Sequence, residues 1–272
     1  MRVVLVGKGS FIARAVATAA RSRGLDCLAL AHDASLDNLT SADHVINFAL
    51  RPAYRSGAYT TGDDIDLRTA RAAKRAKAHF VMLSTRRVYG PDRRWGATEK
   101  LPVMGDETAY GQNKARTEKA VLESLSGDAG IFRLSNIFGY EYDESPPRKS
   151  FLGLMLESLK QENTIFFDMH PDTKRDFLPV EFAANLLLDR ALDRTKGVYN
   201  LGCGFAVSCG DLADWVCEGY GDGQLVYDPP ALRDEFFLNM DKWRSHFDLP
   251  IDENTLHDYC VGLGQKLRCE ES

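Results

Sequence analysis

The chain has 272 residues and a formal net charge of −5 at pH 7, with 44% hydrophobic and 27% charged residues. These proportions are those of an ordinary globular protein, and they fit one large α/β domain with or without a smaller appendage. They argue against a nucleic-acid-binding protein and against a membrane-spanning protein. Charges of both signs are interspersed, which argues against a nucleic-acid surface, and no apolar run approaches the ~18 residues that span a bilayer.

The six cysteines and six histidines show no metal-binding pattern. No Cys-x-x-Cys occurs, and no His/Cys pair has the spacing of a zinc site, so we expect free thiols and no metal. The chain opens on an apolar run that enters a glycine at Gly7. This is not a signal-peptide pattern, and we therefore expect a cytoplasmic protein.

A strand, a glycine turn and a helix follow one another at the start of the chain. Arg2 to Val6 is a short apolar run, typical of a buried parallel strand. A helical pattern then runs to Gly24, and Ala13 is small enough for close packing of helix and strand. Such a turn can hold a dinucleotide pyrophosphate, although a plain strand-to-helix turn has the same pattern. The predicted cofactor-binding residues are Gly7, Lys8, Gly9, Ser10, Phe11 and Ile12.

The second predicted strand, Asp26 to Ala31, is followed by an acid, Asp33. A carboxylate at this position hydrogen-bonds the ribose 2′-hydroxyl and selects NAD. No arginine follows closely to hold the 2′-phosphate of NADP, whereas Lys8 in the turn is an available partner for it. The pattern therefore favours NAD over NADP. The alternative role for Asp33 is a helix cap.

The third predicted strand, Asp43 to Ala49, comes only about a dozen residues later, too few for a full strand–helix–strand crossover. This half of the sheet is therefore predicted to be trimmed. The end of the strand, Asn47-Phe48-Ala49, lies at the sheet edge where cofactors bind. Residues 51–62 follow as a predicted polar loop, and residues 63–77 as a long amphipathic helix.

Tyr110 and Lys114 lie four residues apart in a predicted helix, residues 107–124, and therefore share one face of it. A lysine ammonium roughly 4 Å from the phenol, at an effective dielectric near 20, would lower the phenol pKa by roughly three units. The phenol would then ionise near the operating pH, where a general acid/base works best. Thr85 follows a buried strand, His79 to Ser84, and is placed to hold a substrate oxygen beside the phenol. The alternative is a structural tyrosine and a solvated lysine.

A loop at residues 91–106 and a further strand, Ala129 to Leu134, complete a regular alternation of strands and helices. This alternation predicts an α/β fold with a Rossmann-type, doubly wound parallel sheet. The alternation breaks down after Leu134. We therefore expect a dinucleotide-binding domain at residues 1–134 plus about 176–201, and a small C-terminal substrate-binding lobe at about 135–175 and 202–272.

Short motifs spread over nearly the whole chain resemble those of the extended short-chain dehydrogenase/reductases. The chain resembles in particular the NAD-dependent epimerase/dehydratase family, which acts on nucleotide sugars. Each motif is short, but their order and spacing are specific. The motifs are the glycine turn at 7–13, Asn47-Phe48-Ala49, residues 84–90, Tyr110 with Lys114 and Glu118, residues 133–139, Arg175-Asp176-Phe177 with Val180, and residues 199–202.

The resemblance implies a catalytic role for three residues. Tyr110 is implied as the proton-transfer residue, and Lys114 as the lysine that holds the nicotinamide ribose and lowers the phenol pKa. Thr85 is implied as the hydrogen-bond partner of the substrate hydroxyl or ketone. All three stand at the positions of the family motif.

The resemblance also implies residues that bind the nucleotide sugar. Asn136 is similar to a residue near the sugar nucleotide, and Arg175 and Arg233 are similar to arginines that contact its diphosphate, for which a planar bidentate donor is suited. Arg86, directly after Thr85, is a further candidate. Dehydratases of the family have Asp-Glu where this chain has Arg86-Arg87, so dehydration is disfavoured.

The implied function is an NAD(P)-dependent oxidoreductase that acts on a nucleotide-activated sugar. The chain is short, like the 4-ketoreductase branch, and net 4-keto reduction with Tyr110 as general acid/base is therefore predicted. Three alternatives stay open: an NAD-dependent epimerase, a carbonyl reductase of a metabolite without a nucleotide, and a non-catalytic dinucleotide-binding protein. Members of the family often dimerise, which implies a homodimer through helices 63–77 and 107–124.

Overall fold

The structure, a computed structural model, describes residues 2–90, 95–140, 151–167, 169–227 and 235–270. The chain divides into two compact units. The first takes in residues 1–134 and 181–201, and the second takes in residues 135–180 and 202–272. The chain therefore leaves the first unit after Leu134, re-enters it at Glu181 and leaves it again after Leu201.

The strands of the described residues are short, and the helices have between four and 17 residues. The strands are β1 Arg2–Val6, β2 Asp26–Leu30, β3 Asp43–Asn47, β4 His79–Thr85, β5 Trp95–Ala97, β6 Gly130–Leu134, β7 Asn136–Phe138, β8 Thr164–Phe167, β9 Lys174–Arg175, β10 Phe177–Pro179, β11 Gly197–Leu201, β12 Val207–Ser208, β13 Gln224–Tyr227 and β14 Phe237–Leu238. The helices are α1 Phe11–Ser22, α2 Pro52–Ser56, α3 Ile65–Ala76, α4 Ala109–Leu125, α5 Phe151–Glu162, α6 Val180–Leu192, α7 Cys209–Tyr220, α8 Asp241–Arg244 and α9 Glu253–Cys269. A 3₁₀ turn, Arg86–Tyr89, follows β4 directly.

Six strands of the first unit form a wholly parallel sheet in the order β11-β6-β4-β3-β1-β2. Apolar residues run continuously along its central strands because a parallel sheet is covered on both faces. Val3, Val4 and Leu5 of β1, for example, have 0% exposure. The predicted α/β class with a Rossmann-type parallel sheet is confirmed.

The sheet ends at β2. Residues 31–42, between β2 and β3, contain no helix or strand, and β3 pairs directly with β1, from Arg2↔Asp43 to Val6↔Asn47. A doubly wound sheet of order 3-2-1-4-5-6 has one more strand outside the second, and here that strand is missing. As the edge strand, β2 is partly exposed, and the trimming predicted from the sequence is confirmed.

Two predicted loops contain short elements. Residues 51–62 include α2, which begins at Pro52 because proline suits the first helical position. The next aromatic residue, Tyr54, is 1% exposed, and its hydroxyl hydrogen-bonds Thr117 Oγ1 over 2.6 Å. Residues 91–106 include β5. The loop predictions were wrong at these points because elements of three to five residues are too short to show a periodic pattern.

A buried ion pair ties α4 to the sheet. Arg133 on β6 donates from Nη2 to Glu118 Oε2 over 2.7 Å and from Nε to Oε1 over 3.0 Å, and both side chains are 3% exposed. Ser84 at the end of β4 donates to the same carboxylate. The guanidinium carbon of Arg133 also lies 4.8 Å from the centroid of the Tyr89 ring. Each charge is removed from water and depends on the other for compensation.

The second unit has its own apolar core, to which α5, α7 and α9 contribute. Leu159 and Leu256 in this core have 0% exposure. Asp176 is also buried, and its carboxyl accepts from the backbone N–H groups of Cys203 (2.8 Å) and Leu238 (3.2 Å). Burial raises the pKa of Asp176 to about 6, and the backbone donors oppose that shift. Asp176, which lies between β9 and β10, therefore holds the backbone at Cys203 and at Leu238 in place.

All six cysteines are free thiols. No helix among the described residues is both long and apolar enough to cross a lipid bilayer.

Two histidines, His44 and His79, are buried at the amino ends of β3 and β4. His79 is 3% exposed, and its Nε2 atom has no hydrogen-bond partner among the described residues. Burial lowers the pKa of His79 to about 4, and the nearby His44 adds to the shift. In the unfolded chain His79 regains an ordinary pKa of about 6.5, so protons bind the unfolded state first.

We therefore expect the stabilisation from neutral His79 to be complete above about pH 6.5 and to be lost as the pH falls toward about 4. The loss amounts to about 3 kcal/mol. Urea unfolding of wild type and His79→Phe across this range measures it, and the variant should have a flatter pH profile. His32→Gln, at a histidine outside the core, is the control and should keep the wild-type profile. An unchanged profile in His79→Phe would contradict the assignment.

Candidate active site

The carboxyl ends of β1, β3 and β4 meet at one edge of the sheet, and three of the predicted motifs follow them directly. The glycine turn follows β1, Asn47 ends β3, and Thr85 ends β4. In an open α/β sheet, ligands bind outside this edge. The candidate site of the first unit therefore lies here.

Gly7 makes the turn after β1 possible. Its φ of +99° lies in a region that suits glycine, and a Cβ on it would lie 2.7 Å from the backbone nitrogen of Ala49. The N–H groups of Gly7 and Lys8 donate to Leu30 O over 2.8 and 2.9 Å, which closes the turn against β2. Gly9 is exposed, and a Cβ on it would meet open space. The glycine turn thus packs tightly on the side of β3 and is open at Gly9.

The first turn of α1 has features that favour the binding of an anion. Ser10 occupies the N-cap position, but its side chain makes no capping hydrogen bond, and no acid lies in the first turn. The leading N–H groups of a helix have no partner within it and carry a partial positive charge. Phe11 and Ile12, the first residues of α1, are half-buried, and Lys8 is exposed. These residues fit the pyrophosphate of a dinucleotide.

The end of β2 carries both an acid and an arginine. Asp33 is exposed, three residues beyond the last strand residue. Arg68, on α3, donates from Nη2 to the backbone carbonyl of His32. The sequence pattern found no arginine near Asp33 because Arg68 lies 36 residues along the chain from His32. An acid that suits the ribose of NAD and a cation that suits the 2′-phosphate of NADP therefore stand at the same edge.

Asn47, predicted to contact the cofactor, uses its side chain within the protein. Its Oδ1 accepts from Ala49 N over 3.1 Å, and its Nδ2 donates to Asp66 Oδ1 over 2.7 Å. Phe48, half-buried, donates from its backbone N–H to Val6 O over 2.8 Å. The segment Asn47-Phe48-Ala49 therefore fixes the wall against which Gly7 packs.

Tyr110 and Lys114 lie on consecutive turns of α4. The helix begins with a capping interaction, in which Thr108 Oγ1 accepts from Gly111 N over 3.1 Å. Tyr110 is half-buried in the first turn, and Lys114 is 5% exposed one turn later. The predicted spacing of the two residues on one helix is therefore present in the structure.

Lys114 is held by two acceptors. Its Nζ donates to Asp66 Oδ2 over 2.6 Å and to Leu83 O over 2.8 Å. Burial disfavours the ammonium, but the charge of Asp66 and the nearby Tyr110 outweigh it, so the pKa of Lys114 is raised. Burial raises the pKa of the Asp66 carboxyl, whereas Lys114 and Asn47 favour its ionised form. Lys114 is therefore a fixed cation with one buried counter-ion.

Thr85 ends β4 and is half-buried. Its Oγ1 accepts from Arg87 N over 3.4 Å, a contact that does not use the hydroxyl hydrogen. Arg87 itself pairs with Asp106 over 2.6 Å, and Arg86, the predicted substrate contact, is 8% exposed. Where dehydratases of the family have Asp-Glu, this chain therefore has the buried Arg86 and, next to it, Arg87 in an ion pair with Asp106.

The remaining candidates belong to the second unit. Asn136 begins β7 and is half-buried, and its N–H donates to Asp176 O over 3.2 Å. Arg175 lies in β9, half-buried, and pairs in register with Val207. Arg233 lies outside the described residues.

Two residues at the candidate site were missed from the sequence, Asp66 and Arg55. Asp66 is spaced four and seven residues from Ala70 and Ala73, which are both 0% exposed. This helical spacing could have predicted that Asp66 lies on the buried face of α3. Arg55 lies in α2, where its guanidinium carbon is 5.4 Å from the centroid of the Tyr110 ring. Since residues 51–62 were predicted as a loop, no pattern indicated its position.

The model of one protein family, described as the NAD dependent epimerase/dehydratase family, matches residues 3–202. Comparison of the sequence with curated proteins gives no match. Solved structures, by contrast, include many with a similar fold.

Three of these structures illustrate the likeness. UDP-N-acetylglucosamine 4-epimerase from Methanobrevibacter ruminantium M1, in complex with UDP-N-acetylmuramic acid, is 18% identical with a TM-score of 0.78, covering 100% of this chain and 99% of that one. A mutant of UDP-glucuronic acid 4-epimerase from Bacillus cereus, in complex with a fluorinated UDP-sugar and NAD, is 14% identical with a TM-score of 0.76, covering 99% and 100%. UDP-glucose 4-epimerase from Thermus thermophilus, in complex with NAD, is 18% identical with a TM-score of 0.72, covering 97% and 99%. At these identities the likeness establishes the fold.

Proposed function

The chain belongs to the NAD-dependent epimerase/dehydratase family, and from this premise we propose that it reduces the 4-keto group of a nucleotide-activated sugar. It is an enzyme of the short-chain dehydrogenase/reductase type. The observation that carries the proposal is the placement of Thr85, Tyr110 and Lys114. Thr85 ends a strand at the ligand-binding edge of the sheet, and the ammonium is buried one helical turn behind the phenol.

Each of these side chains has a task in the proposed reaction. Thr85 donates its hydroxyl hydrogen to the substrate oxygen and thereby orients the carbonyl. Tyr110 delivers a proton to that oxygen as the carbonyl becomes a hydroxyl, which is general acid catalysis. Lys114 stays charged and keeps its position through Asp66 and Leu83 O.

NAD is the proposed cofactor, held by the glycine turn from Gly7 to Ser10, by the first turn of α1 and by Lys114. Asp33 is proposed to bind the adenosine ribose. When bound, the nicotinamide supplies the hydride for the sugar carbon. Arg68 beside His32 leaves NADP as the alternative.

The proposed substrate is a nucleotide sugar, and a UDP-sugar is the first to test because the similar epimerases carry UDP-sugars in their names. Asn136, Arg175 and Arg233 are the proposed contacts to the nucleotide and its diphosphate, with Arg86 as a further candidate. Dehydration is not proposed, because the arginines after Thr85 provide no carboxylate for the elimination.

Reduction is favoured over epimerisation because the chain, with 272 residues, is short, like the 4-ketoreductase branch that it resembles. A reductase must exchange its cofactor after each turnover, whereas an epimerase regenerates it and can keep it bound. Epimerisation at the same carbon is the second candidate, favoured by the names of the similar structures.

Purified protein tests the proposal in two steps. We expect little bound NAD after purification, and we expect a UDP-4-keto-sugar to be reduced with one NADH consumed per product. An epimerase would instead retain NAD and interconvert two UDP-sugars with no net consumption, which nuclear magnetic resonance of the sugar protons detects. The proposal fails if no nucleotide sugar shifts the melting temperature or is turned over, since a bound ligand must stabilise the folded state.

The cytoplasmic location and the homodimer through α3 and α4 stay predictions. Size-exclusion chromatography with light scattering measures the oligomeric state directly.

A further inference from the structure

Arg55 is an exposed cation beside the ring of Tyr110. Its guanidinium carbon lies 5.4 Å from the centroid of that ring, within the range of a cation–π contact. One helical turn earlier, Arg51 pairs with Asp63 over 3.4 Å. Arg55, by contrast, has no carboxylate partner among the described residues. The candidate site therefore has an uncompensated positive charge, accessible from solvent, next to the side chain that is proposed to transfer the proton.

The position of Arg55 is fixed by the attachment of α2 to α4. Asn113, on the helix that carries Tyr110, donates from Nδ2 to Tyr54 O over 2.7 Å and to Gly57 O over 2.9 Å. The buried Tyr54 hydroxyl bonds Thr117 on the same helix. Three hydrogen bonds thus hold the chain on both sides of Arg55 against α4.

Two carboxylates of the candidate site already have cationic partners. Asp66 pairs with Lys114 over 2.6 Å, and both residues are buried. Asp106 pairs with Arg87, also over 2.6 Å. An anionic ligand can therefore pair with Arg55 without breaking an ion pair of the described residues.

The charge of Arg55 lies toward the sugar end of a bound nucleotide sugar. Tyr110 is proposed to deliver its proton to the oxygen on carbon 4 of the sugar, so carbon 4 and its ring neighbours are the substrate atoms nearest the phenol. The diphosphate is attached at carbon 1, on the opposite side of the sugar ring. A group on carbon 5 is therefore a nearer partner for Arg55 than the diphosphate.

We propose that Arg55 binds a carboxylate on carbon 5 of the sugar, so that the substrate is a nucleotide-activated uronic acid. The inference rests on the proposed function. A planar guanidinium matches a carboxylate with two parallel hydrogen bonds, and such charge-assisted bonds are roughly twice as strong as those to a neutral group. A hydroxymethyl group in the same place offers only the weaker bond. Arg55 is then a substrate-binding residue that selects nucleotide sugars by charge.

Two ligands that differ only in the group on carbon 5 test the inference. UDP-glucuronic acid has a carboxylate there, and UDP-glucose has a hydroxymethyl group. Neither has a ketone to reduce, so calorimetry in the presence of NADH measures the Kd of each without turnover. We expect the wild type to bind UDP-glucuronic acid about 10-fold more tightly, the lower end of the effect of a hydrogen bond to a charged group. Added salt should weaken this preference, because Arg55 is exposed.

Three variants assign the preference to Arg55. Arg55→Gln should lower it to less than about two-fold and leave the Kd of UDP-glucose near its wild-type value. Arg55→Lys should keep part of the preference, because lysine retains the charge but lacks the planar fork. Arg116→Gln removes the same charge from an exposed position of α4 and should keep the full preference. Circular dichroism on each variant establishes that the fold is intact.

Three results would overturn the inference. The first is equal affinity of the wild type for the two ligands. The second is an equal loss of affinity for both ligands in Arg55→Gln, which is the result expected for a contact to the diphosphate. The third is a preference that falls as far in Arg116→Gln as in Arg55→Gln, which is the result expected for a general effect of net charge.

Failure of the proposed function gives a different result. It would appear as binding of neither UDP-sugar, together with no NADH consumption when a UDP-4-keto-sugar is offered. Failure of this inference alone would appear as binding of UDP-glucose with no preference for the carboxylate. The two failures are therefore distinguished by the affinity for UDP-glucose, the ligand that does not depend on Arg55.

Discussion

Tyr110→Phe is expected to lower kcat by about 10³-fold, within the 10²–10⁴-fold range of a lost general acid. The substitution removes one oxygen from a half-buried side chain and leaves the ring beside Arg55 in place. Binding of NAD should change by less than about two-fold, because the glycine turn and Lys114 are untouched. Steady-state assays with a UDP-4-keto-sugar measure kcat, and titration calorimetry measures the Kd of NAD.

Two controls sharpen this result. Tyr59→Phe removes the hydroxyl of another tyrosine, which donates to Asp64 over 2.9 Å, and should leave kcat near wild type. Thr85→Val should lower kcat less than Tyr110→Phe, because Thr85 orients the substrate oxygen without transferring the proton. A Tyr110→Phe enzyme with more than a tenth of the wild-type kcat would remove Tyr110 from the proton transfer.

Arg133→Met is expected to lower the free energy of unfolding by about 3 to 5 kcal/mol, the usual cost of leaving one buried charge without its partner. The charge left behind is Glu118, whose side chain is 3% exposed and also accepts from Ser84. Glu118→Gln should cost a similar amount by isolating the guanidinium. Urea denaturation measures both, and the m-value shows whether the unfolding transition stays two-state.

The double variant Arg133→Met/Glu118→Leu should recover much of this loss, because a buried ion pair can be replaced by apolar residues at little cost. The matched control is Glu123→Gln on the same helix. Glu123 pairs with Lys119 over 3.9 Å, with side chains 67% and 79% exposed, so its replacement should cost less than about 1 kcal/mol. A cost below about 1 kcal/mol for Arg133→Met would show that water reaches the pair.

Much of the fold was predictable because its signals are local. The first strand, the glycine turn and the helix of Tyr110 can each be recognised within a short window, from apolar runs, glycine and helical periodicity. β1 was predicted at Arg2 to Val6 and is found there, and the helix predicted at residues 107–124 spans Ala109–Leu125. Two short elements, α2 and β5, escaped prediction because they are too short to be periodic, and α2 is held by contacts with distant residues such as Thr117.

The residues of the candidate site likewise divide into those that the sequence indicated and those that it did not. The spacing of Tyr110 and Lys114 identified the pair, and Thr85 followed from the end of its strand. Asp66 and Arg55 were missed because each reaches the site from another helix. Asp66 is 48 residues from Lys114, and no periodic pattern shows which carboxylate will compensate which ammonium.

The sequence by itself determined the order of strands and helices, the glycine turn and the phenol with its neighbouring lysine, because steric and periodic preferences act over a few residues. Only the tertiary structure decided the electrostatics around that phenol. Packing of α3 places a buried carboxylate against Lys114, and packing of α2 places an exposed guanidinium over Tyr110. The physical reason is that Coulomb energies depend on distance and burial, and chain order specifies neither.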